Sequence, residues 1–398
     1  MSNMNDAEFD RSFFENVGIT LDILPERLKG ELYKCPEDFT VREVYSEGIC
    51  HIENPRESPS FFEGDYIHAL LIKKNISTFE ACDIFSREND IDYSLDISFC
   101  GLKDTLVITS QMICIKNKPG LKIKRTIFED FFVTNLKPSN IKLKTGDHIG
   151  NNFIIRVRDV STSSEKIKVI MENFRALTSN GLPNFYSLQR FGVRQDNHLL
   201  GKLLLEGRYE EFLRRFITYS RNETDNISEI RRKLEKDFGD WNKCLEIIGD
   251  LRELSDERDI ITNMSKGDGL LASIKNVKIS DFFLHSYSSY LFNKTLSWLL
   301  KKDYKDITLE KIGSNSIFDE FNASIYSSIL ELEGVSLEDF KKCPFNTPGH
   351  PRRSLFRPSS FEFSHDGDDL ILNFTLGKGE YASLLIHFLI DSDAKKLC

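Results

Sequence analysis

Residues 101–111 read GLKDTLVITSQ, a glycine-led loop that runs into an apolar stretch. Lys103 and Asp104 stand side by side, and the apolar run at 106–108 resumes at 112–115. Such a run predicts a buried strand, so Asp104 would lie just before the start of that strand. Considered alone, an Asp at this position is most often a turn residue whose carboxylate accepts hydrogen bonds from backbone N–H groups.

The composition indicates an ordinary soluble globular protein. With 398 residues, 40% hydrophobic and 29% charged, the chain can form two or three domains around a large core. It has no apolar run long enough for a transmembrane helix, and its polar N-terminus has no signal or transit pattern. Its eight cysteines form no C-x-x-C pair. We therefore expect free thiols in an intracellular protein of the nucleus and/or cytoplasm, with no membrane partner.

The charge is distributed unevenly along the chain. The net charge is −9, but residues 101–150 carry nine Lys/Arg against four Asp/Glu, a net of +5. A basic segment in an acidic protein can be a nucleic-acid-binding patch. It can also be a set of strand edges on which lysines discourage edge-to-edge pairing, and charge alone favours this second interpretation.

Residues 31–160 are typical of a strand-rich region. Alternation predicts strands in FTVREV, DYIHALLIKK and GNNFIIRVRDV, and a short strand at 95–100. A capped helix is predicted after Ser77, and another from about Ser164 to Ser179, which Asn180-Gly181 ends. Because no regular βαβ rhythm is present, the pattern predicts an α+β fold with a mostly antiparallel, mixed sheet.

The hydrophobic pattern of the sequence changes at about residue 205. Residues 205–348 show apolar periods near 3.6, and proline is absent from this region until Pro344. The C-terminal segment returns to strands, with a hairpin that turns at Asp366-Gly367-Asp368 and then a loop and a short helix. The simplest architecture is a discontinuous α+β domain, 1–204 with 349–398, interrupted by a mainly helical domain at 205–348.

Six segments, in collinear order, resemble the TruD family of tRNA pseudouridine synthases, in its archaeal or eukaryotic form. GLKDTLVITSQ resembles the family's G-x-K-D loop with Thr and Gln on the next strand. The other five segments are KCPEDF (34–39), GDHIGNNFIIRVR (146–158), GLPNFYSLQRFG (181–192), SYSSYLFN (286–293) and LGKGEYAS (376–383). Ser187 stands where the family usually has Gly, and Ser383 where it usually has Thr, which bears on substrate preference rather than on catalysis.

The resemblance implies a fold and an activity. It implies that 1–204 with 349–398 is a catalytic pseudouridine synthase domain and that 205–348 is an inserted TRUD-type domain. The expected activity is isomerisation of uridine in tRNA, at position 13, with other tRNA or mRNA positions open, by a chain that acts as a monomer. A catalytically inactive RNA-binding protein of the same fold is the alternative. A glycoside hydrolase ranks last, because the motifs hold no convincing second carboxylate.

The family motifs also imply the residues of the site. Asp104 is the expected catalytic carboxylate, either as nucleophile or as base. Lys34 and Lys103 are candidate cations; a surface role is equally open for Lys34, and a phosphate contact is favoured for Lys103.

By the resemblance, the segment GLPNFYSLQRFG (181–192), the third motif of the family, would bind the uridine and the RNA. Asn184 and Tyr186 would line the uridine pocket, with Tyr186 stacking on the base while Phe185 packs in the core. Gln189 and Arg190 would orient the loop or the RNA, and a purely structural role is as open for them. No metal and no cofactor are expected, because the chain has no P-loop, dinucleotide fingerprint or zinc spacing.

Overall fold

The computed structural model describes residues 13–20, 26–56, 62–277, 279–302 and 306–391. The chain forms two units, which we call the sheet unit and the helical unit. The sheet unit contains Glu26–Leu182 and continues at 357–391, and the helical unit contains Pro183–Phe356 and residues 13–20. The expected division into catalytic and inserted domains at 204/205 and 348/349 stays a prediction. Cys398 lies outside the described residues.

The described strands are numbered here in chain order. They are β1 Leu28–Lys29, β2 Phe39–Tyr45, β3 Gly48–Ile49, β4 Tyr66–Lys73, β5 Ile97–Phe99, β6 Ile108–Lys116, β7 Phe131–Ser139, β8 Gly150–Val157, β9 Leu182–Pro183, β10 Thr308–Lys311, β11 His350–Arg353, β12 Leu355–Phe356, β13 Ser360–Asp366, β14 Asp369–Gly377 and β15 Ile390–Asp391. Nine of them form the main sheet of the sheet unit, in the order β13-β14-β8-β2-β6-β4-β7, with β3 beside β2 and β5 beside β6.

The main sheet is mixed. β2 and β6 pair in parallel, and the other neighbouring strands pair antiparallel. The predicted α+β fold with a mostly antiparallel sheet is therefore confirmed. The predicted hairpin is also present, because Gly367 adopts φ 63° in the turn between β13 and β14, a left-handed conformation that glycine adopts at no steric cost.

The helices lie in both units. The described α-helices are Thr78–Glu88, Tyr93–Asp96, Ser164–Asn180, Asn197–Leu205, Tyr209–Thr218, Asp225–Lys236, Trp241–Ile248, Ser255–Ser265, Leu270–Lys275, Ile279–Leu300, Glu320–Glu333, Leu337–Lys342 and Ala382–Leu389. The short strand predicted at 95–100 is partly wrong, because Asp92 caps the one-turn helix Tyr93–Asp96 by accepting from the N–H groups of Ser94 and Leu95. Only Ile97–Phe99 is strand.

The core of the sheet unit supports one end of the 101–111 loop. Ser77 caps the helix Thr78–Glu88 by accepting a hydrogen bond from the N–H of Glu80. That helix buries Cys82 and Phe85 in the same cluster as Ile113 and Ile115 of β6. The helix and β6 are thereby packed in one layer, which supports the loop before β6.

The core of the helical unit is built around the helix Ile279–Leu300. Of the side chains of this helix 14 are buried, and they include seven Ser, Thr or Asn residues as well as large apolar ones, as expected for a helix surrounded by others. Phe283 and Tyr287 pack with Phe212 and Phe216 in one cluster. The strand β10 was not predicted within the helical region 205–348, and it pairs with β11, which follows that region. None of the described helices is both long enough and apolar enough to cross a membrane.

Candidate active site

The loop that carries Asp104 is fixed by side-chain bonds at its start. The fully buried Gln111 of β6 donates a hydrogen bond to the carbonyl oxygen of Gly101 (3.0 Å). The hydroxyl of Thr78 donates to Gln111 Oε1 (2.8 Å) and accepts from the backbone N–H of Lys103 (3.4 Å). The carboxylate of Asp104 is exposed. The arrangement therefore holds the backbone and leaves the acid accessible.

A buried lysine contacts the loop where Asp104 lies. Lys73 ends β4, and its side chain is 1% exposed. Its ammonium donates to the carbonyl oxygens of Asp104 (2.7 Å) and Lys103 (3.4 Å). Burial lowers the pKa of Lys73 to about 8, and the charge of Asp104 opposes that shift. Lys73 is thus the cation that interacts electrostatically with the carboxylate, and the sequence analysis missed it.

Lys103 is turned towards the sheet rather than towards solvent. Its ammonium lies 2.6 Å from Glu43 Oε1, and the two side chains are 6% and 0% exposed. The other carboxylate oxygen of Glu43 accepts from the Tyr45 hydroxyl (2.7 Å) and from the N–H of Met112 (3.0 Å). This buried pair ties the loop to β2. The phosphate contact expected for Lys103 stays a prediction, and its ammonium is already paired.

Tyr33, which directly precedes the segment KCPEDF (34–39), interacts electrostatically with Asp104. Lys34 pairs with Glu31 and with Asp159 (3.1 Å) at the surface. Tyr33 stacks on Phe39 with ring centroids 5.1 Å apart. The pKa of its hydroxyl is raised, first by burial and then by the charge of Asp104. A uridine-binding role for Lys34 stays a prediction.

The third motif lies in the helical unit, where Asn184 is held by the backbone and by an arginine. Its side-chain amide donates to the carbonyl oxygen of Arg353 (3.0 Å), and its Oδ1 accepts from Arg352. Asn184 is 6% exposed. These bonds fix the amide and place the guanidinium of Arg352 beside the motif.

Tyr186 and Phe185 are both buried, at 2% and 0% exposure. Phe185 therefore packs in the core, as expected. The guanidinium of Arg352 lies 4.2 Å from the centroid of the Tyr186 ring, and the Tyr186 hydroxyl is 3.2 Å from His350 Nε2. Stacking of Tyr186 on uracil stays a prediction, and it would require Arg352 to leave the ring face that it covers.

Arg190 joins this group, and Gln189 points elsewhere. Arg190 lies 5.5 Å from the ring centroid of Tyr186 and 5.4 Å from that of Phe282. Gln189, one residue earlier in the 3₁₀ turn Leu188–Phe191, is exposed. Of the six predicted RNA-binding residues, Arg190 thus lies against the ring of Tyr186, and Asn184 bonds Arg352, which covers the same ring. In the part of the chain that is described, no cluster of His, Cys, Asp or Glu could hold a metal ion.

Comparisons with known proteins agree on one family. The family model "tRNA pseudouridine synthase D (TruD)" matches residues 23–312 and 299–388. The chain is 28% identical over 397 residues to a probable tRNA pseudouridine synthase D of Methanococcus aeolicus, covering 92% of this chain and 97% of that one. It is also 28% identical over 412 residues to a protein of the same name from Pyrococcus abyssi, covering 90% and 95%.

A solved structure shares the fold. The crystal structure of a putative TruD from Methanosarcina mazei superposes with a TM-score of 0.74 at 24% identity, covering 96% of this chain and 98% of that one. The expected fold is thereby confirmed. The family match identifies the chain as an isomerase, an enzyme that modifies RNA. It belongs to the tRNA pseudouridine synthase D (TruD) family, which confirms the predicted membership.

Proposed function

We propose that this enzyme converts uridine to pseudouridine in tRNA inside the cell, at position 13, with Asp104 as its essential carboxylate. The observation that carries the proposal is an exposed acid on a loop whose backbone is held by buried side chains. Gln111 and Lys73 bond that backbone directly, and Lys103 anchors it to Glu43. Preorganisation of this kind fixes a reacting group while leaving it open to substrate.

The reaction requires one ionised carboxylate. The bond between ribose C1′ and uracil N1 breaks, C5 of the uracil joins C1′, and the proton on C5 is exchanged for one on N1. Asp104 can attack C1′ or C6 as a nucleophile, or remove a proton from C2′ as a base, and each route uses its charged form. The ammonium of Lys73, which interacts electrostatically with Asp104, supplies a positive charge close to the reacting carboxylate.

A surface groove beside the loop offers a place for RNA next to the target uridine. The groove has a volume of about 580 Å³ and adjoins Gly101 and Leu102. Phe79 lines it with an exposed ring, and Lys142 and Lys144 supply positive charge. Exposed rings with interspersed lysines suit single-stranded RNA, because bases stack on the rings while the ammonium groups contact phosphates.

The competing function is that of an RNA-binding protein without activity. A binder would gain nothing from an exposed acid on a loop with three internal anchors, which favours the enzyme. The deciding experiment is pseudouridine mapping on tRNA from cells that lack the protein, complemented with the wild type or with Asp104→Asn. We expect position 13 to be modified only with the wild type. Modification restored by Asp104→Asn would contradict the role of Asp104, and no restoration by either would contradict the substrate.

A further inference from the structure

A second cluster of charged groups lies in the helical unit, around the face of the β10–β11 strand pair. Lys311 of β10 is directly opposite His350 of β11, and Leu309 is opposite Arg352. Because side chains two residues apart share a face of a strand, Lys311, His350 and Arg352 project from the same face. His285 of the helix Ile279–Leu300 meets this face, since its Nδ1 lies 3.0 Å from the ammonium of Lys311.

Arg190 adds a further cation to the same group. The hydroxyl of Ser286 donates to the carbonyl oxygen of Arg190 (2.8 Å), which ties the 3₁₀ turn to the helix that carries His285. The guanidinium of Arg190 rests against the rings of Tyr186 and Phe282. Its Nε is buried and has no hydrogen-bond partner within the described residues. A buried guanidinium nitrogen without an acceptor costs free energy unless a ligand supplies one.

Among the described residues, one acid, Glu310, acts on the charge of Lys311. Glu310 directly precedes Lys311, so its side chain lies on the other face of β10, where its Oε1 accepts from Ser316. Lys311 is 1% exposed. Burial lowers its pKa to about 7, and the charges of Arg190 and Arg352 act in the same direction. The pKa of His285 is lowered to about 4, first by burial and then by Lys311 and Arg190.

We propose that Arg190, backed by Lys311 and Arg352, forms a binding site for a phosphate oxyanion, and that its ligand is one phosphodiester group of the substrate tRNA. Cations brought close together out of water repel one another, and an anion bound among them would relieve that repulsion. Arg190 and Arg352 are partly exposed and His350 is exposed, so a phosphate would meet these groups while Lys311 acts from below the surface. A guanidinium fork suits phosphate oxygens.

The alternatives are a free anion and a purely structural cluster. A free inorganic phosphate has the same chemistry as the phosphodiester, so the experiment must separate the two. A structural cluster would make Lys311 a stabilising residue, whereas an unfilled anion site makes it a destabilising one. The inference rests on the proposed function, because it takes tRNA as the ligand.

The test uses Lys311→Met and Arg190→Gln in the full-length protein, with Lys342→Met as the matched control. Lys342 is an exposed lysine paired with Glu338 in the same unit. Affinity for tRNA is measured against salt concentration. We expect each test variant to weaken binding about tenfold to a hundredfold, the cost of one charge-assisted contact. The salt slope should fall by about 0.7–0.9. Lys342→Met should bind tRNA with the affinity and the salt slope of the wild type.

Two further measurements separate the alternatives. At pH 6, without RNA, Lys311→Met should melt at a higher temperature than the wild type, and a lower melting temperature would indicate a structural cluster. In tRNA with single uncharged methylphosphonate linkages, one position should weaken binding of the wild type about tenfold and leave binding of Arg190→Gln unchanged. If inorganic phosphate raises the wild-type melting temperature but no single linkage matters, the ligand is a free anion and the proposal is wrong.

The outcomes also separate this inference from the proposed function. A protein that binds tRNA with this dependence but makes no pseudouridine contradicts the function and leaves the phosphate site standing. A protein that makes pseudouridine, while both test variants bind tRNA like the wild type with an unchanged salt slope, contradicts the phosphate site alone.

Discussion

Each of the two units buries a lysine, and the two ammonium groups have different partners. Lys73 in the sheet unit and Lys311 in the helical unit are both 1% exposed. Lys73 donates to two backbone carbonyl oxygens and interacts with the charge of Asp104. Lys311 has an imidazole nitrogen as its partner, and two arginines act against its charge. The ammonium of Lys73 therefore has its hydrogen-bond acceptors within the protein, whereas that of Lys311 lies where it can interact with an anion bound from solvent.

Both units also contain buried charges that are paired with one another. In the sheet unit, the fully buried carboxylate of Glu43 is paired with Lys103, and that of Asp38 with Arg158. Such pairs position a backbone, since each fixes two strands or a strand and a loop. The helical unit has such pairs too, Arg231 with Glu257 and Arg194 with Asp196. The group around Tyr186 differs from the pairs of both units, because its arginine side chains lie on aromatic rings.

The largest expected effect comes from removing the acid. Asp104→Asn should abolish pseudouridine formation and leave the affinity for tRNA within a few fold, because the change keeps the shape of the side chain and removes its charge. Single-turnover assays with tRNA measure the first effect, and equilibrium binding measures the second. Asp83→Asn, which alters an exposed acid paired with Arg87, is the control. Single-turnover activity near that of the wild type would show that another group does the chemistry.

The next effect tests whether Lys73 positions Asp104. Lys73→Met should lower turnover about tenfold to a hundredfold with little change in tRNA affinity, because it removes hydrogen bonds to the loop of the acid and a charge beside it. Lys74→Met is the control, since Lys74 is the next residue, lies nearer the surface and pairs with Glu37. A loss of tRNA affinity equal to the loss of turnover would assign Lys73 to RNA binding instead.

The pH dependence of stability distinguishes the two lysines. The folded-state pKa values, about 8 for Lys73 and about 7 for Lys311, lie below the ordinary 10.5. Between these values and 10.5 the unfolded state binds more protons, so the free energy of unfolding rises with pH. The rise should begin near pH 7 in the wild type and near pH 8 in Lys311→Met, which chemical denaturation at a series of pH values would measure. An identical pH profile for both proteins would contradict the assignment of Lys311.

The aromatic pair should give effects of different kinds. Phe185→Ala should lower the free energy of unfolding by about 3–5 kcal/mol, because it leaves a cavity in the core. Tyr186→Ala should lower turnover about tenfold to a hundredfold if its ring supports the base, since a base–aromatic stack contributes about 1–3 kcal/mol. Tyr186→Phe keeps the ring, loses the contact with His350 and should cost much less. Melting temperatures and rates for the three variants, compared with the wild type, decide this. An inactive but stable Phe185→Ala would reverse the two assignments.

The sequence predicts the parts of the site that are local along the chain. The Gly101–Asp104 loop and Gln111 lie within eleven residues, so a single motif contains both the acid and one of its anchors. Lys73 is missed because a lysine that ends an apolar strand resembles an ordinary exposed strand end. Its role depends on the pairing of β4 with β6, which no local pattern specifies.

The unpredicted cluster of the helical unit is non-local for the same reason. Lys311 and His350 come together only through the pairing of β10 with β11, across 39 positions of chain. β10 lies in a region whose apolar period predicts helix, and β11 lies beyond the end of that region, so neither the pairing nor its register follows from periodicity. Arg190 could be singled out from its motif, but the contact that gives it a function comes from packing against the helix Ile279–Leu300.

The smallest expected effect concerns the basic segment of the sheet unit. Lys122, Lys124 and Arg125 are exposed, and the ammonium of Lys124 donates to the carbonyl oxygen of Glu88 (2.8 Å). Changing all three to Glu should weaken tRNA binding and lower the salt slope by about 0.7–0.9 for each phosphate that the protein no longer binds. Since these side chains are not among the buried anchors that hold Asp104, turnover at saturating tRNA should stay near that of the wild type. An unchanged affinity and an unchanged salt slope would mean that these basic residues only protect strand edges from pairing. In that case the surface charge of this segment would not bind RNA, whereas the buried charge around Lys311 would.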